Sequence, residues 1–296
     1  MFLPALIFES AFNSNGFILN RSKWQILMMA GPGVLVTAGL IAIVILYVLG
    51  YSDDLDWPQA LVIGSILATT DPVAVVALLK ELGTSVKFNT LLEGESLLND
   101  GTAFVFFLVC LDIVKTGEFN IGKAVIQFMR LTFGGPALGV AIAFLVALWL
   151  RHIVKDTVLG VVITFFGVYV CFFLSESVLH VSGILALVAL GFYLGTYGKV
   201  NMTENMEHAI HTVWSFLAWV LETGVFMRSG MFIGDKLINY KSHNDDTELN
   251  RLYGSDIWKI LLFYLMLFIV RFLVTLAMSP LLNCIGYPIS FKAVIV

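Results

Sequence analysis

Almost the whole chain is laid out as apolar runs of bilayer length. Such runs occupy residues 24–50, 57–79, 88–111, 124–150, 157–175, 177–198, 208–234 and 260–284, with partial ones at 2–12 and 288–296. About 20 apolar residues in a helix cross the hydrocarbon core of a bilayer. In that core every backbone N–H and C=O must find a partner inside the protein, which leaves only helices and closed barrels. A barrel would show alternating strands of about ten residues, and these runs are too long and too evenly apolar for that. The runs therefore predict an all-α polytopic membrane protein, with 1–296 as a single transmembrane domain. Composition agrees, at 59% hydrophobic and 13% charged residues, where a soluble domain carries about 25% charged.

Other classes are set aside on equally simple grounds. Net charge is −4 and no basic run occurs, so no nucleic-acid partner is expected. Cys110, Cys171 and Cys284 all sit inside apolar runs and read as buried small hydrophobes, not as a disulfide framework. The start, MFLPALIFESAF, has no basic residue, carries Glu9 and lacks a small-residue cleavage pattern. It reads as the tail of a helix, so the chain is expected to be incomplete at this end. The polar stretch 235–256 is expected to be a loop. Alternate loops, counted from the one after residue 12, hold eight Lys and Arg against five in the others, which places the first set in the cytoplasm. The two glycosylation sequons, at Asn20 and Asn201, fall in that same set.

Charges inside the runs carry the functional signal, because an ionisable residue at membrane depth is expensive to keep. In WPQALVIGSILATTDPVAVVALL, residues 57–79, Pro72 removes a backbone donor and drives Asp71 out of helical geometry. Thr69 and Thr70 stand at the same place. The expected result is a discontinuous helix, with carbonyls near 67–69 freed and turned outward. Freed carbonyls and a carboxylate at membrane depth suit a small cation; the plainer alternative is a proline kink capped by Asp71. The next run opens TLLEGESLLNDGTAFVFFLVC, residues 90–110. Glu95 and Asn99 are four apart, as are Ser96 and Asp100, so each pair shares a helix face and the polar residues form one stripe. Glu93 is explained by the wet start of the helix. Asp100 is not, since a solid apolar block follows it.

Arg271 lies twelve residues beyond Lys259, too deep to snorkel easily. It pairs with Glu95 or Asp100, or faces water. Arg130 sits near the start of its run and can snorkel. Glu222 and Arg228 are six apart and lie on different faces; they meet other helices or an aqueous cavity, and no role is assigned to them. The five histidines lie at run ends or in loops without metal-ligand spacing.

A carboxylate in a low dielectric binds a proton or a cation, but not both well. If the site changes sides only when loaded, entry of one cargo is answered by exit of the other. With one titrating acid, Asp100, beside the neutral Asn99, each cargo carries a single positive charge, and exchange moves no net charge.

The tandem TTDPVAVVALLKELGTS and LLEGESLLNDGTAFVFF closely resembles the sodium/proton exchangers of the cation/proton antiporter 1 family, and MFLPALIFESAF resembles the helix that precedes them. The wording is nearest to the plant salt-overly-sensitive type and the sperm-specific exchangers. The resemblance is strong over residues 1–115 and continues more weakly to the end. It implies an antiporter fold with inverted repeats, incomplete at both ends. It implies ion binding by Asp100, Asn99, Asp71, Thr70 and Ser96, with Na+ at Asp100 and Asp71, and a structural ion pair between Glu95 and Arg271. It further implies a core part (24–115 and 256–296) moving against a dimerisation part (1–12 and 120–234) in a homodimer. The implied activity is electroneutral exchange of Na+, or Li+ or K+, for H+, without a cofactor and not as an enzyme. It would regulate intracellular pH and sodium at the plasma membrane. A truncated, non-transporting isoform that modulates full-length exchangers is the alternative.

Overall fold

The computed structural model describes residues 2–14, 16–53, 55–70, 73–84, 86–117, 120–153, 156–239 and 254–285. In chain order the helices are α1 (Leu3–Asn13), α2 (Gly16–Met28), α3 (Val34–Ile43), α4 (Trp57–Leu67), α5 (Val73–Glu81) and α6 (Val86–Thr116). They continue with α7 (Ile121–His152), α8 (Thr157–Phe173), α9 (Gly183–Tyr193), α10 (Glu204–Asn239) and α11 (Gly254–Ile285). Among the described residues there is no strand. Seven helical segments among the described residues are long and apolar enough to cross a membrane, and the chain is a multi-pass membrane protein.

Among the described residues, five-residue π-helical turns occur at Met29–Gly33, Val44–Val48, Leu174–Val178 and Leu194–Gly198; the first lies between two α-helices and the others at the ends of their spans. Such turns carry one residue more per turn than an α-helix. The first follows α2 and contains Pro32, and α2, α3 and the first two π turns run on as one span, Gly16–Val48.

Helix starts follow local chemistry. Asp56 and Gln59 form a capping box at α4, with Pro58 in the first turn. Asn120 accepts from the Lys123 N–H at α7, Asp156 from Val158 and Leu159 at α8, and Ser182 from Leu185 at α9. Each satisfies donors that the first turn leaves open.

Several boundaries differ from the sequence expectation. The span expected from 24 begins at Gly16, so Asn20, Arg21 and Lys23 are helical and the first sequon sits on a helix rather than in a loop. These side chains face solvent at the helix end, where polarity does not stop a helix. The run 177–198 starts its helix only at Gly183, because Ser182 caps it and His180 takes a left-handed φ of 51° before it. The expected loop 235–256 is shortened from both sides, to Asn239 and Gly254. The partial run 288–296 lies outside the described residues.

Two packing clusters organise the bundle. One joins α1, α7, α8, α9 and α10 around Trp214, which is fully buried, donates its indole N–H to Thr164 Oγ1 at 3.2 Å and stacks on Phe165 at 4.4 Å. Here α7 and α9 touch backbone to backbone. A Cβ on Gly139 would lie 2.1 Å from the Ala186 carbonyl oxygen, so only glycine permits this approach, as small residues do between membrane helices. The second cluster joins α3, α4, α6 and α11 through Val34, Ala38, Ile41, Ala68, Ala103, Val270 and Val274.

Candidate functional site

The span expected to be discontinuous consists of two short helices. α4 ends at Leu67, and α5 begins at Val73. Asp71 and Pro72 lie outside the described residues. A helix that stops leaves its last four carbonyls without intrahelical donors. The carbonyl of Ala68, among those expected to be freed near 67–69, accepts from a side chain distant in the chain. Thr69 Oγ1 donates to the Ile66 carbonyl at 3.1 Å, Arg271 Nη1 to that of Ala68 at 3.2 Å, and Ser96 Oγ to that of Thr70 at 3.3 Å. The last two donors come from α11 and α6.

Asp100 falls at the middle of α6, a helix of 31 residues and hence about 46 Å long. The stretch is held from outside. Thr102 Oγ1 is hydrogen-bonded to the Ala30 carbonyl in the π turn that contains Pro32, which ties α6 to the α2–α3 span.

The polar stripe on α6 has two edges that open in different directions. Glu95 and Ser96 are neighbours in sequence and so about 100° apart around the helix. Ser96 and Asp100 line an open cavity of about 800 Å³. Its wall also includes Glu9 and Ser10 of α1, Ser65 of α4, Thr69 just beyond the end of α4, Glu93 of α6 and Glu222 of α10. Four carboxylates thus face one vestibule, and no lysine or arginine stands among its described lining residues. Asp100 is exposed through it. Glu9 is fixed there by Asn13 Nδ2 at 2.7 Å and Ser215 Oγ at 2.9 Å.

Glu95 and Asn99 line a separate, small cavity with Arg271. Arg271 Nη2 lies 3.6 Å from Glu95 Oε1, and Asn99 Nδ2 donates to the same oxygen at 3.4 Å. Of the two acids open to Arg271 in sequence, the structure puts Glu95 within reach. The guanidinium therefore sits between a carboxylate and the C-terminal end of α4, and cations are favoured at helix C-termini. Asn99 is 2% exposed.

Some residues escaped sequence reasoning. Glu9 was visible as an acid in an apolar run, but nothing in the sequence brings it to α10. Glu222 is found on the vestibule wall, while Arg228, on the same helix, is exposed. Arg130 donates to the Leu179 carbonyl at 2.7 Å, satisfying the end of the α8 span.

A family model described as "Sodium/hydrogen exchanger, transmembrane" matches residues 1–296. The chain belongs to this family. Sodium/hydrogen exchanger 8 of Arabidopsis thaliana is 32% identical over 297 residues, covering 100% of this chain and 38% of the relative. The Na(+)/H(+) antiporter ApNhaP of Aphanothece halophytica is 32% identical over 255 residues, covering 84% and 46%. The exchanger-family chain thus spans less than half the length of either relative. Among solved structures, the sodium proton antiporter MjNhaP1 of Methanocaldococcus jannaschii superposes with a TM-score of 0.67 at 18% identity, over 99% of this chain and 66% of that one. The fold is the antiporter fold.

Proposed function

We propose that this chain carries the ion-exchange site of a cation/proton antiporter, with Asp100 bound in turn by Na+ and by H+. The observation that carries the reading is the setting of Asp100. It stands at mid-helix, one turn from Ser96, on a vestibule shared with Thr69 at the end of the interrupted helix α4–α5. A carboxylate so placed costs about 2.5–3.5 kcal/mol on insertion scales, and a reversible positive cargo compensates that cost. Ser96 Oγ and the Thr70 carbonyl meet there at 3.3 Å, and Asp71 follows Thr70 in the chain. The carboxylates on the other vestibule walls raise the local concentration of cations. Asn99 is neutral, so each cargo replaces the other at equal charge and exchange is electroneutral. Li+ and K+ are the alternative cations.

In the same reading, residues 24–115 and 256–296 form the ion-carrying core and 1–12 and 120–234 the scaffold of a homodimer, in the plasma membrane, with no enzymatic step and no cofactor. The Trp214 cluster supports the scaffold, since it is apolar and closely packed. Glu95 and Arg271 serve as a structural pair that holds α11 to α6.

Uptake of radioactive Na+ into vesicles carrying the chain, driven by an outward proton gradient, tests the reading. Asp100→Asn should reduce uptake to the level of empty vesicles, with insertion into the bilayer unchanged by protease protection. Normal exchange by that variant would sink the assignment.

A further inference from the structure

The small cavity between α3, α6 and α11 is distinct from the vestibule. It measures about 20 Å³ and is lined by Thr37, Glu95, Asn99, Arg271 and Thr275 together with apolar atoms of Val34, Ala68 and Val274. Asn99 lines it, and the side-chain oxygen of Asn99, Oδ1, is buried and has no hydrogen-bond partner among the described residues. A buried acceptor left in that condition costs about 1–3 kcal/mol. From this we infer that the cavity is the site of one ordered water molecule, which binds Asn99 Oδ1 and links α6 to α3 and α11.

Size and donor balance both point to water. A cavity of roughly 10–15 Å³ on this measure holds one water, and a buried water makes about three hydrogen bonds. Thr37 Oγ1 gives its proton to the Gly33 carbonyl at 2.8 Å, and Thr275 Oγ1 gives its own to that of Arg271 at 2.9 Å. Both hydroxyls therefore offer only lone pairs to the cavity. Arg271 has five N–H donors and uses two groups, Nη1 on Ala68 and Nη2 on Glu95. Water balances this set. It donates one hydrogen to Asn99 Oδ1 and the other to a threonine oxygen, and accepts from the guanidinium. A sodium ion would meet the same oxygens but also a fixed guanidinium charge, and the space admits a single water-sized particle. An anion would meet Glu95. The neutral ligand fits where either ion is repelled.

It follows that Asn99 is a positioning residue. Its oxygen is spent on the water at a different edge of α6 from the vestibule, about 100° round the helix, and its amide on Glu95. The carboxamide fixes the rotation of α6, and with it the direction of Asp100, without touching the cation. The inference rests on the reading of Asp100 as the cargo site only in this last step; the water stands or falls on its own.

The test is a diffraction structure of the full chain at a resolution that shows ordered water, with crystals soaked in Tl+ as the cation probe. The expected result is a density peak with water geometry within hydrogen-bonding distance of Asn99 Oδ1, carrying no anomalous signal. Absence of density there, or Tl+ in that cavity, overturns the proposal. Tl+ missing from the Asp100 side would instead count against the exchange site, so the two failures are distinguishable. In solution, Thr37→Val combined with Thr275→Val should lower the melting temperature by about 2–4 °C while leaving the KM for Na+ within about two-fold, as expected of a site that is not in contact with the cation. A ten-fold rise in KM without loss of stability would show that these oxygens face the ion and would also overturn it.

Discussion

Around Trp214 the helices meet through apolar side chains and bare backbone. Phe8 and Phe165 close on the indole, Gly139 lets α7 lie on the Ala186 carbonyl, and the one buried indole N–H is matched by one hydroxyl, Thr164. Around Ala68 the helices meet through donors and acceptors. Arg271 and Ser96 satisfy carbonyls where α4 stops, and Glu95, Asn99 and Thr102 connect α6 to its neighbours. The contrast teaches where each kind of contact is useful. Apolar close packing has one deep minimum and resists change. A set of hydrogen bonds between side chains and loose helix ends can be exchanged for others at small net cost, since each is worth only about 0.5–1.5 kcal/mol. The part to which the proposed function assigns the ions is built from the second kind.

Three substitutions break or sharpen this contrast. Gly139→Leu should have the largest effect. Its Cβ alone meets backbone oxygen at 2.1 Å, with no flexible atom to give way, so α7 and α9 must separate; the expected outcome is loss of the monodisperse peak in detergent size-exclusion chromatography. A normal peak would mean that the scaffold is not rigid there. Arg271→Leu comes next. It strands Glu95 and uncovers the Ala68 carbonyl, and removal of one partner of a buried pair costs about 3–5 kcal/mol. Since Glu95 is largely buried but Arg271 is 37% exposed, the loss should fall at the lower end, read as a drop in thermal midpoint. Reversal of both charges should recover part of the loss caused by either reversal alone. Recovery stays partial because a glutamate at 271 cannot donate to Ala68; a strictly additive loss would argue that the pair is not coupled. Thr164→Val is the smallest change. It leaves the Trp214 N–H without its acceptor at a cost of about 1–3 kcal/mol, and it should lower the melting temperature while Na+ uptake per folded molecule stays the same. A shift in cation affinity instead would join the two regions that the contrast keeps apart.

Much of this was legible in the sequence for identifiable reasons. Apolar runs of bilayer length report helices directly, and Pro72 reports a break, because a missing N–H is a local fact. Asp100 and Arg271 announced themselves by the cost of a charge at depth. What could not be read is who answers whom over long separations. Ser96 reaches a carbonyl 26 residues away and Arg271 one 203 residues away, and no spacing encodes either. The split of the α6 stripe into two edges was hidden for a related reason. Sequence spacing fixes the angle between Ser96 and Glu95, but only the neighbouring helices decide which angle meets a vestibule and which meets Arg271. Polar residues 20–23 suggested a loop because polarity marks both loops and wet helix ends.

The π turn at Met29–Gly33, with α2 before it and α3 after it, has a consequence for how this chain tolerates changes in length. Deleting a residue from an ordinary α-helix rotates everything beyond it by about 100° and would swing a face such as that of Asp100 out of place. Deletion of one residue within Met29–Gly33 would instead restore the usual pitch, with both flanks keeping their bearings. Gene-level trimming is absorbed at that turn, whereas a one-codon loss inside α6 is not.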